Sequence, residues 1–214
     1  MDTLKPLTEQ LISGQADEVG RLTRQALDDE LDPLEILNRG LIPGMDEVGR
    51  RFKDGEMYVP DVLIAARAMR AGMEVLRPLL AQSDVSSLGT VILGTIQGDL
   101  HDIGKNLVGI MMEGAGFEVI DLGVDVSPEQ FVQAARKHQA RIIGMSALLT
   151  VTMMGMKRVI ENLQTEGMRS SIVALVGGAP VTRAFAQEIG ADGYAHDAVS
   201  AVETARELLD RAGP

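Results

Sequence analysis

The stretch GDLHDIGKN, residues 98–106, sets Asp99 two residues before His101, the first histidine of the chain, between two apolar runs. A carboxylate at that spacing can orient one imidazole nitrogen by a hydrogen bond and leave the other facing outward, which fixes the tautomer of a metal-binding histidine. Ser146, Thr150 and Thr152, after a later apolar run, offer hydroxyls to the polar groups of a buried ligand, and the pair Gly177-Gly178 lets a ligand approach backbone that carries no Cβ. Gly123 and Asp125 end another run. The combination suits an elongated ligand that bears a metal.

Simpler uses exist for each piece. Gly177-Gly178 can turn the chain into a helix, Ser146 and the threonines can cap one, and Asp102 suits a solvated or capping acid just before Gly104. His138, in RKHQA, reads as surface, and His196 falls at the end of the last apolar run. Other site types fit worse. A dinucleotide loop needs G-x-G-x-x-G, whereas the glycines fall at 94, 98 and 104. A phosphate loop fails because Gly98 to Gly104 is one residue too long and Asn106 stands where Ser or Thr is needed. Ser146 occupies the position of a receiver's phosphoacceptor aspartate, and no second histidine has the spacing of a zinc site. A single imidazole on a metal implies that something else, such as a macrocycle, holds the remaining ligands.

These residues need a scaffold, and the apolar pattern supplies one. From Leu4 to about Ala81 apolar residues recur at helical spacing: Leu7, Leu11 and Ile12; Val19, Leu22 and Ala26; Leu34, Leu37, Leu41 and Ile42; Val62, Leu63, Ala66, Met69 and Met73. Four or five helices are predicted, with Asp32-Pro33 as an N-cap followed by proline at the first helical position, and Pro60 opening a helix to Leu76 in the same way. Residues 1–82 are expected to form a helical bundle. The small, polar stretch 83–89 is expected as a linker and hinge. From residue 90 to 214, short apolar runs (90–96, 117–123, 141–147, 171–178, 191–196) alternate with amphipathic segments beginning near Gly104, Ser127, Thr152, Val181 and Ala198. That alternation predicts an α/β domain with a doubly wound, five-stranded parallel sheet. Ligands of such sheets sit beyond the carboxyl ends of the strands, the edge where the residues above fall.

Bulk composition narrows the partners. Of 214 residues, 45% are hydrophobic and the formal net charge is −11, without a basic run to neutralise phosphates, so nucleic acid and anionic membranes are disfavoured. Aromatic residues make up only 3%, with no tryptophan, which leaves no base-stacking platform. The chain has no cysteine, which removes disulfides, thiolate metal sites and a cysteine nucleophile. No apolar stretch reaches about 18 residues and no secretory leader is visible, so a cytoplasmic location is expected.

The pattern Asp99-x-His101-x-x-Gly104, then Ser146-x-Leu148 after 41 intervening residues, then Gly177-Gly178 after 28 more, resembles the cobalamin-binding signature of proteins that hold the corrinoid with its own base displaced. With the helical segment before it, the chain is most similar to the small corrinoid proteins of methyltransferase systems, which resemble the cobalamin module of methionine synthase. The resemblance implies a helical cap followed by a Rossmann-like, flavodoxin-like domain, and cobalamin as cofactor, present as methylcobalamin in the loaded state. It implies His101 as the lower axial ligand of cobalt, Asp99 as its hydrogen-bond acceptor and Thr152 where methionine synthase extends the relay with serine. It further implies Gly98, Leu100, Asp102, Ile103 and Gly104 beside the corrin, and Ser146, Leu148, Thr150, Gly177, Gly178, Ala179, Tyr194 and Ala198 along the nucleotide tail. EMYVPDVLIAARAM, residues 56–69, resembles the cap segment over the upper corrin face, with Tyr58 at its shielding position.

By the same resemblance, the chain is a methyl carrier and not a complete enzyme. Its expected partners are a substrate-specific methyltransferase, an acceptor methyltransferase using tetrahydrofolate, and a reductive activating protein. A cobalamin-dependent sensor or the small subunit of an adenosylcobalamin mutase are the alternatives. The sensor lacks a helix-turn-helix module here, and the mutase subunit has no use for a cap.

Overall fold

The computed structural model describes residues 4–80 and 88–212. They fall into two compact units, the first built from the helices before residue 81 together with Glu113–Gly116, the second from the remainder. The proposed linker residues 83–87 lie outside the described residues.

In the first unit, α1 (Lys5–Ile12), α2 (Ala16–Asp28), α3 (Pro33–Ile36), α4 (Ile42–Lys53) and α5 (Val59–Leu80) bury the stripe formed by Leu7, Leu11, Val19, Leu41, Met45, Val62, Met69 and Leu76. Asp32 caps α3 as predicted, its carboxylate accepting from the Leu34 N–H at 2.8 Å. Between α3 and α4 the chain makes a π-helical turn, Leu37–Leu41, that apolar spacing does not announce. Its cause is Pro43, which lacks an N–H and would crowd the carbonyl one turn earlier in a regular helix. The Thr8 hydroxyl donates to the Gly40 carbonyl inside that turn at 2.8 Å. α5 starts one residue before Pro60, and the Asp61 carboxylate accepts from the Tyr58 N–H at 2.8 Å. Leu63, predicted on the buried stripe, is 45% exposed, and Tyr58, Val59 and Ile64 are exposed with it. Its i+3 and i+4 neighbours Ala66 and Arg67 point to the cause: Val62, Ala65, Ala66 and Met69 carry the inward face, and position 63 falls beside it.

The second unit alternates strand and helix: β1 (Thr90–Thr95), α6 (Ile103–Gly114), β2 (Glu118–Asp121), α7 (Pro128–Lys137), β3 (Ile142–Ser146), α8 (Met154–Thr165), β4 (Val173–Gly177), α9 (Arg183–Glu188), β5 (Gly193–Ala195) and α10 (Ala198–Ala212). All five strands are parallel in the order β2-β1-β3-β4-β5, the doubly wound, flavodoxin-like arrangement predicted. Each apolar run produced one strand, shortened at its ends. Strand residues alternate between the faces. Ile92, Ile143, Met145, Ala174 and Val176 form one core with Phe131 and Val132 of α7, Met156, Val159, Ile160 and Leu163 of α8, and Phe185 and Ile189 of α9. On the other face, α6 presents Gly109 to Leu93 and Val119.

After β1 the chain turns to β2 on one side and then returns to β3 on the other, so strand order reverses between β1 and β3. The register sets Thr95, Ser146, Gly177 and Ala195 in one row at the carboxyl ends of β1, β3, β4 and β5. Ligand crevices of such sheets open above that row.

Candidate functional site

Asp99 is the anchor of that edge. It is fully buried, and both carboxylate oxygens are engaged. Oδ1 accepts from the His101 ring Nδ1 at 2.7 Å and from the His101 N–H at 3.1 Å. Oδ2 accepts from the N–H groups of Leu148 at 2.8 Å and Leu149 at 3.1 Å, and the Thr152 hydroxyl stands 2.9 Å away. That hydroxyl is also 2.9 Å from the Leu149 carbonyl, so its one proton serves one acceptor at a time. The carboxylate thus joins the loop after β1 to the loop after β3 across the switch point.

Burial alone would raise the Asp99 pKa, but the bonds from the His101 ring, the Leu148 and His101 N–H groups and the Thr152 hydroxyl outweigh it and hold the carboxyl well below the usual range. The ionised group only accepts, so Nδ1 of His101 carries the proton and Nε2 carries the free lone pair of the neutral ring. The His101 side chain is 53% exposed, which leaves Nε2 accessible. The Thr95 hydroxyl, buried at the end of β1, fixes the His101 carbonyl at 2.8 Å.

Because the folded state binds fewer protons than the unfolded chain at this position, Asp99 adds stability that is fully present above about pH 4, the ordinary aspartate range, and is lost as pH falls through the depressed folded value. Urea midpoints of the natural chain and Asp99→Asn should therefore differ most above about pH 4 and converge below it. A difference that stays constant into acid would contradict the assignment.

The other predicted positions distribute along the same edge. Gly98 takes φ 84°, a conformation open to glycine, and the Thr152 methyl stands over it, 3.4 Å from where a Cβ would be. Leu100, Ile103 and Gly104 flank His101 along the chain, and Asp102 accepts from the Asn106 side chain at 3.0 Å. Ser146 closes β3, Leu148 and Thr150 lie in the loop after it, Gly177 closes β4, and Gly178 and Ala179 follow. Tyr194 is half-buried against the core, and Ala198 is buried as the first residue of α10. His138 caps the end of α7, and His196 pairs with Asp197 at 2.9 Å. Tyr58 belongs to the first unit, where it is exposed at the start of α5.

Several site contacts carry no signature in the sequence. The Leu149 N–H and the Thr95 hydroxyl are among them, as is Lys105, whose buried ammonium pairs with Asp121 and Asn106. Backbone donors are invisible to residue type. Thr95, a hydroxyl within the otherwise apolar run 90–96, differs from its neighbours in residue type.

Three observations bear on what the edge can hold. Among the described residues no group of three or more histidine, cysteine or acidic side chains gathers for a metal, so the exposed His101 imidazole at this edge suits a metal whose other ligands arrive with it. Most exposed large apolar side chains among the described residues of this unit, Leu100, Ile103, Leu148, Leu149, Val151 and Met154, lie in the loops after β1 and β3 or open the helices that follow them, giving the carboxyl edge that carries His101 an oily rim. At Gly104 nothing lies within 4 Å of a Cβ position, which leaves room for a flat ligand against the start of α6. Sheet, rim and single imidazole together define a binding protein for a large, partly apolar metal macrocycle, and they fit a corrinoid.

Comparison with known proteins agrees. Residues 89–203 match a family model described as a B12 binding domain, and residues 3–77 match a second model of the same description. A corrinoid protein of Desulfitobacterium hafniense is 44% identical over 99% of each chain, and the dimethylamine corrinoid protein of Methanosarcina barkeri is 46% identical over 97% of this chain and 98% of its own. The crystal structure of the methanol:cobalamin methyltransferase complex MtaBC from Methanosarcina barkeri contains a chain that superposes with a TM-score of 0.86 at 29% identity, covering 98% of this chain and 80% of that one. The chain belongs to the corrinoid proteins, whose cofactor is cobalamin. Among the described residues no helix is long and apolar enough to cross a membrane.

Proposed function

We propose that the chain carries a methyl group between two methyltransferases and that His101 Nε2 would ligate the cobalt in place of the cofactor's own base. The observation that carries this reading is the Asp99–His101 pair, with Nδ1 bonded at 2.7 Å and the imidazole side chain 53% exposed at the switch point of the sheet. When bound, cobalamin supplies a cobalt centre that can accept and surrender a methyl group.

Every other contribution is the protein's. Asp99 holds the imidazole in one tautomer and keeps its own charge through the hydrogen bonds of the loop after β3, so the donor nitrogen is oriented before the cofactor arrives. Thr152 can give its proton to Asp99 or to the Leu149 carbonyl, which lets the carboxylate's share of the imidazole proton be adjusted. Leu100, Ile103 and Val151, exposed at this edge, would exclude water from a bound corrinoid. Ser146, Thr150, Gly177, Gly178 and Ala179, at and just beyond the carboxyl ends of β3 and β4, would hold the displaced nucleotide.

For the donor we assign a methylated amine. Support comes from identities of 42–49% to dimethylamine and trimethylamine corrinoid proteins, against 29% to the chain in the methanol complex. Tetrahydrofolate is the acceptor we favour, through a second methyltransferase, with a reductive activator restoring lapsed cobalt. The test is to load the chain with cobalamin, reduce it, and offer dimethylamine together with a dimethylamine-specific methyltransferase. The expected result is a shift of the visible spectrum to the methylated form; loading from methanol and its methyltransferase instead would overturn the donor class, and loading from neither would overturn the carrier role.

A further inference from the structure

Asp125, between β2 and α7, takes a left-handed backbone with φ 55°. The other non-glycine residues with positive φ among those described, Glu30 and Gln139, both follow a helix end, where that conformation closes the last turn: the Leu31 N–H donates to Ala26 and the Ala140 N–H to Ala135. Asp125 closes no helix. Its Oδ1 instead accepts from the Gly98 N–H at 2.7 Å, and its own N–H donates to the Asp99 carbonyl at 3.1 Å. Two bonds from one residue bracket the backbone that carries Asp99.

The rest of its loop grips the same segment. Asp121, at the start of the loop, accepts from Lys105, whose side chain is 1% exposed, and from the Gly123 N–H at 2.9 Å. The Thr95 N–H donates to Gly123 at 2.9 Å, and the Val126 N–H donates back to Thr95 at 3.0 Å. Residues 121–126 therefore hold the His101 loop at both ends, at 98–99 and at 105. The loop after β3 fixes the Asp99 side chain; this one fixes its main chain. A left-handed aspartate is strained, and such conformations persist where the surroundings over-determine them, characteristically at functional sites.

We propose that Asp125 is a positioning residue: by holding Gly98 and Asp99 it sets the direction in which His101 presents Nε2 to cobalt. The inference rests on the assignment of His101 as lower ligand. The experiment loads the full chain and its Asp125→Asn, Asp125→Ala and Asp125→Gly variants with cobalamin, each labelled with 15N-histidine, and reduces them to cobalt(II). Electron paramagnetic resonance then gives the ratio of histidine-coordinated to histidine-free cobalt, and urea unfolding of the cofactor-free proteins is measured in parallel.

Asp125→Asn keeps an acceptor oxygen and tolerates the left-handed backbone, so its ratio should match the natural chain. Asp125→Ala and Asp125→Gly should lower the ratio about tenfold, the effect of losing one charge-assisted hydrogen bond. Glycine relieves the backbone, so its variant separates lost orientation from lost folding. Equal ratios in all four proteins would overturn the proposal alone, as would an Asn variant that loses coordination as far as Ala does. Absence of nitrogen coupling in the natural chain would remove the His101 assignment and this proposal with it.

Discussion

His101→Ala should fold, bind cobalamin about 10- to 100-fold more weakly, and show no polypeptide nitrogen coupling in its cobalt(II) resonance. The side chain is half exposed and buries little apolar surface, so the fold tolerates its loss. What the variant removes is the ring donor at 2.7 Å from Asp99 Oδ1, which keeps only the His101 N–H at 3.1 Å, while Oδ2 keeps its partners in the loop after β3. Stability should fall by about 1–2 kcal/mol, the cost of a weakened buried hydrogen bond. Coordination, in contrast, is lost outright, because among the described residues no cluster of alternative ligands stands ready to replace the imidazole. Nitrogen coupling that survives the substitution would show that the cobalt takes its lower ligand from elsewhere.

The second large effect is expected at Gly178. Its φ is 121°, outside the left-handed well that Asn or Asp can occupy, and a Cβ there would stand 1.8 Å from the Ala147 carbonyl oxygen and 2.8 Å from its carbon. Both are backbone atoms, so no rotamer change relieves the clash. Gly178→Ala must push the end of β3 away from β4, and the residues that follow Ala147 are Leu148 and Leu149, whose N–H groups hold Asp99. We expect a loss of about 3 kcal/mol or more in urea unfolding, together with loss of retained cobalamin through the displaced Asp99. Gly104→Ala is the control: nothing lies within 4 Å of its Cβ position and it sits in the first turn of α6, so stability should change by less than about 1 kcal/mol. Equal effects at 104 and 178 would refute the packing argument.

The parallel sheet was legible because each strand is buried on both faces and reads as a continuous apolar run, such as VIL in β1 or VALV in β4. Its order was legible only as a class, since pairing of β1 with β3 is settled by crossovers and not by any residue in either strand. The Asp99–His101 pair was legible because it is local, two residues apart on one turn. What escaped was non-local or carried by backbone: the Leu148 and Leu149 donors lie some fifty residues from Asp99, and the Asp125 clamp on Gly98 comes from another loop. In the helical unit, periodicity placed the helices but missed the widened turn at Leu37–Leu41, because a proline in a helical pattern predicts a break and the chain absorbed it by inserting a looser turn. Leu63 misled for a related reason: it borders the true inward stripe, and a 3.6-residue period cannot fix which flank is solvated when both are apolar.

The aliphatic side chains at the His101 edge, with Ile103 and Val151 each 82% exposed, form a sticky surface when nothing covers them. Freshly made chains lacking cofactor display it openly, and so invite self-association and capture by quality-control machinery. A cofactor that covers this rim should therefore lessen self-association, which sedimentation of the cofactor-free and the loaded chain would show.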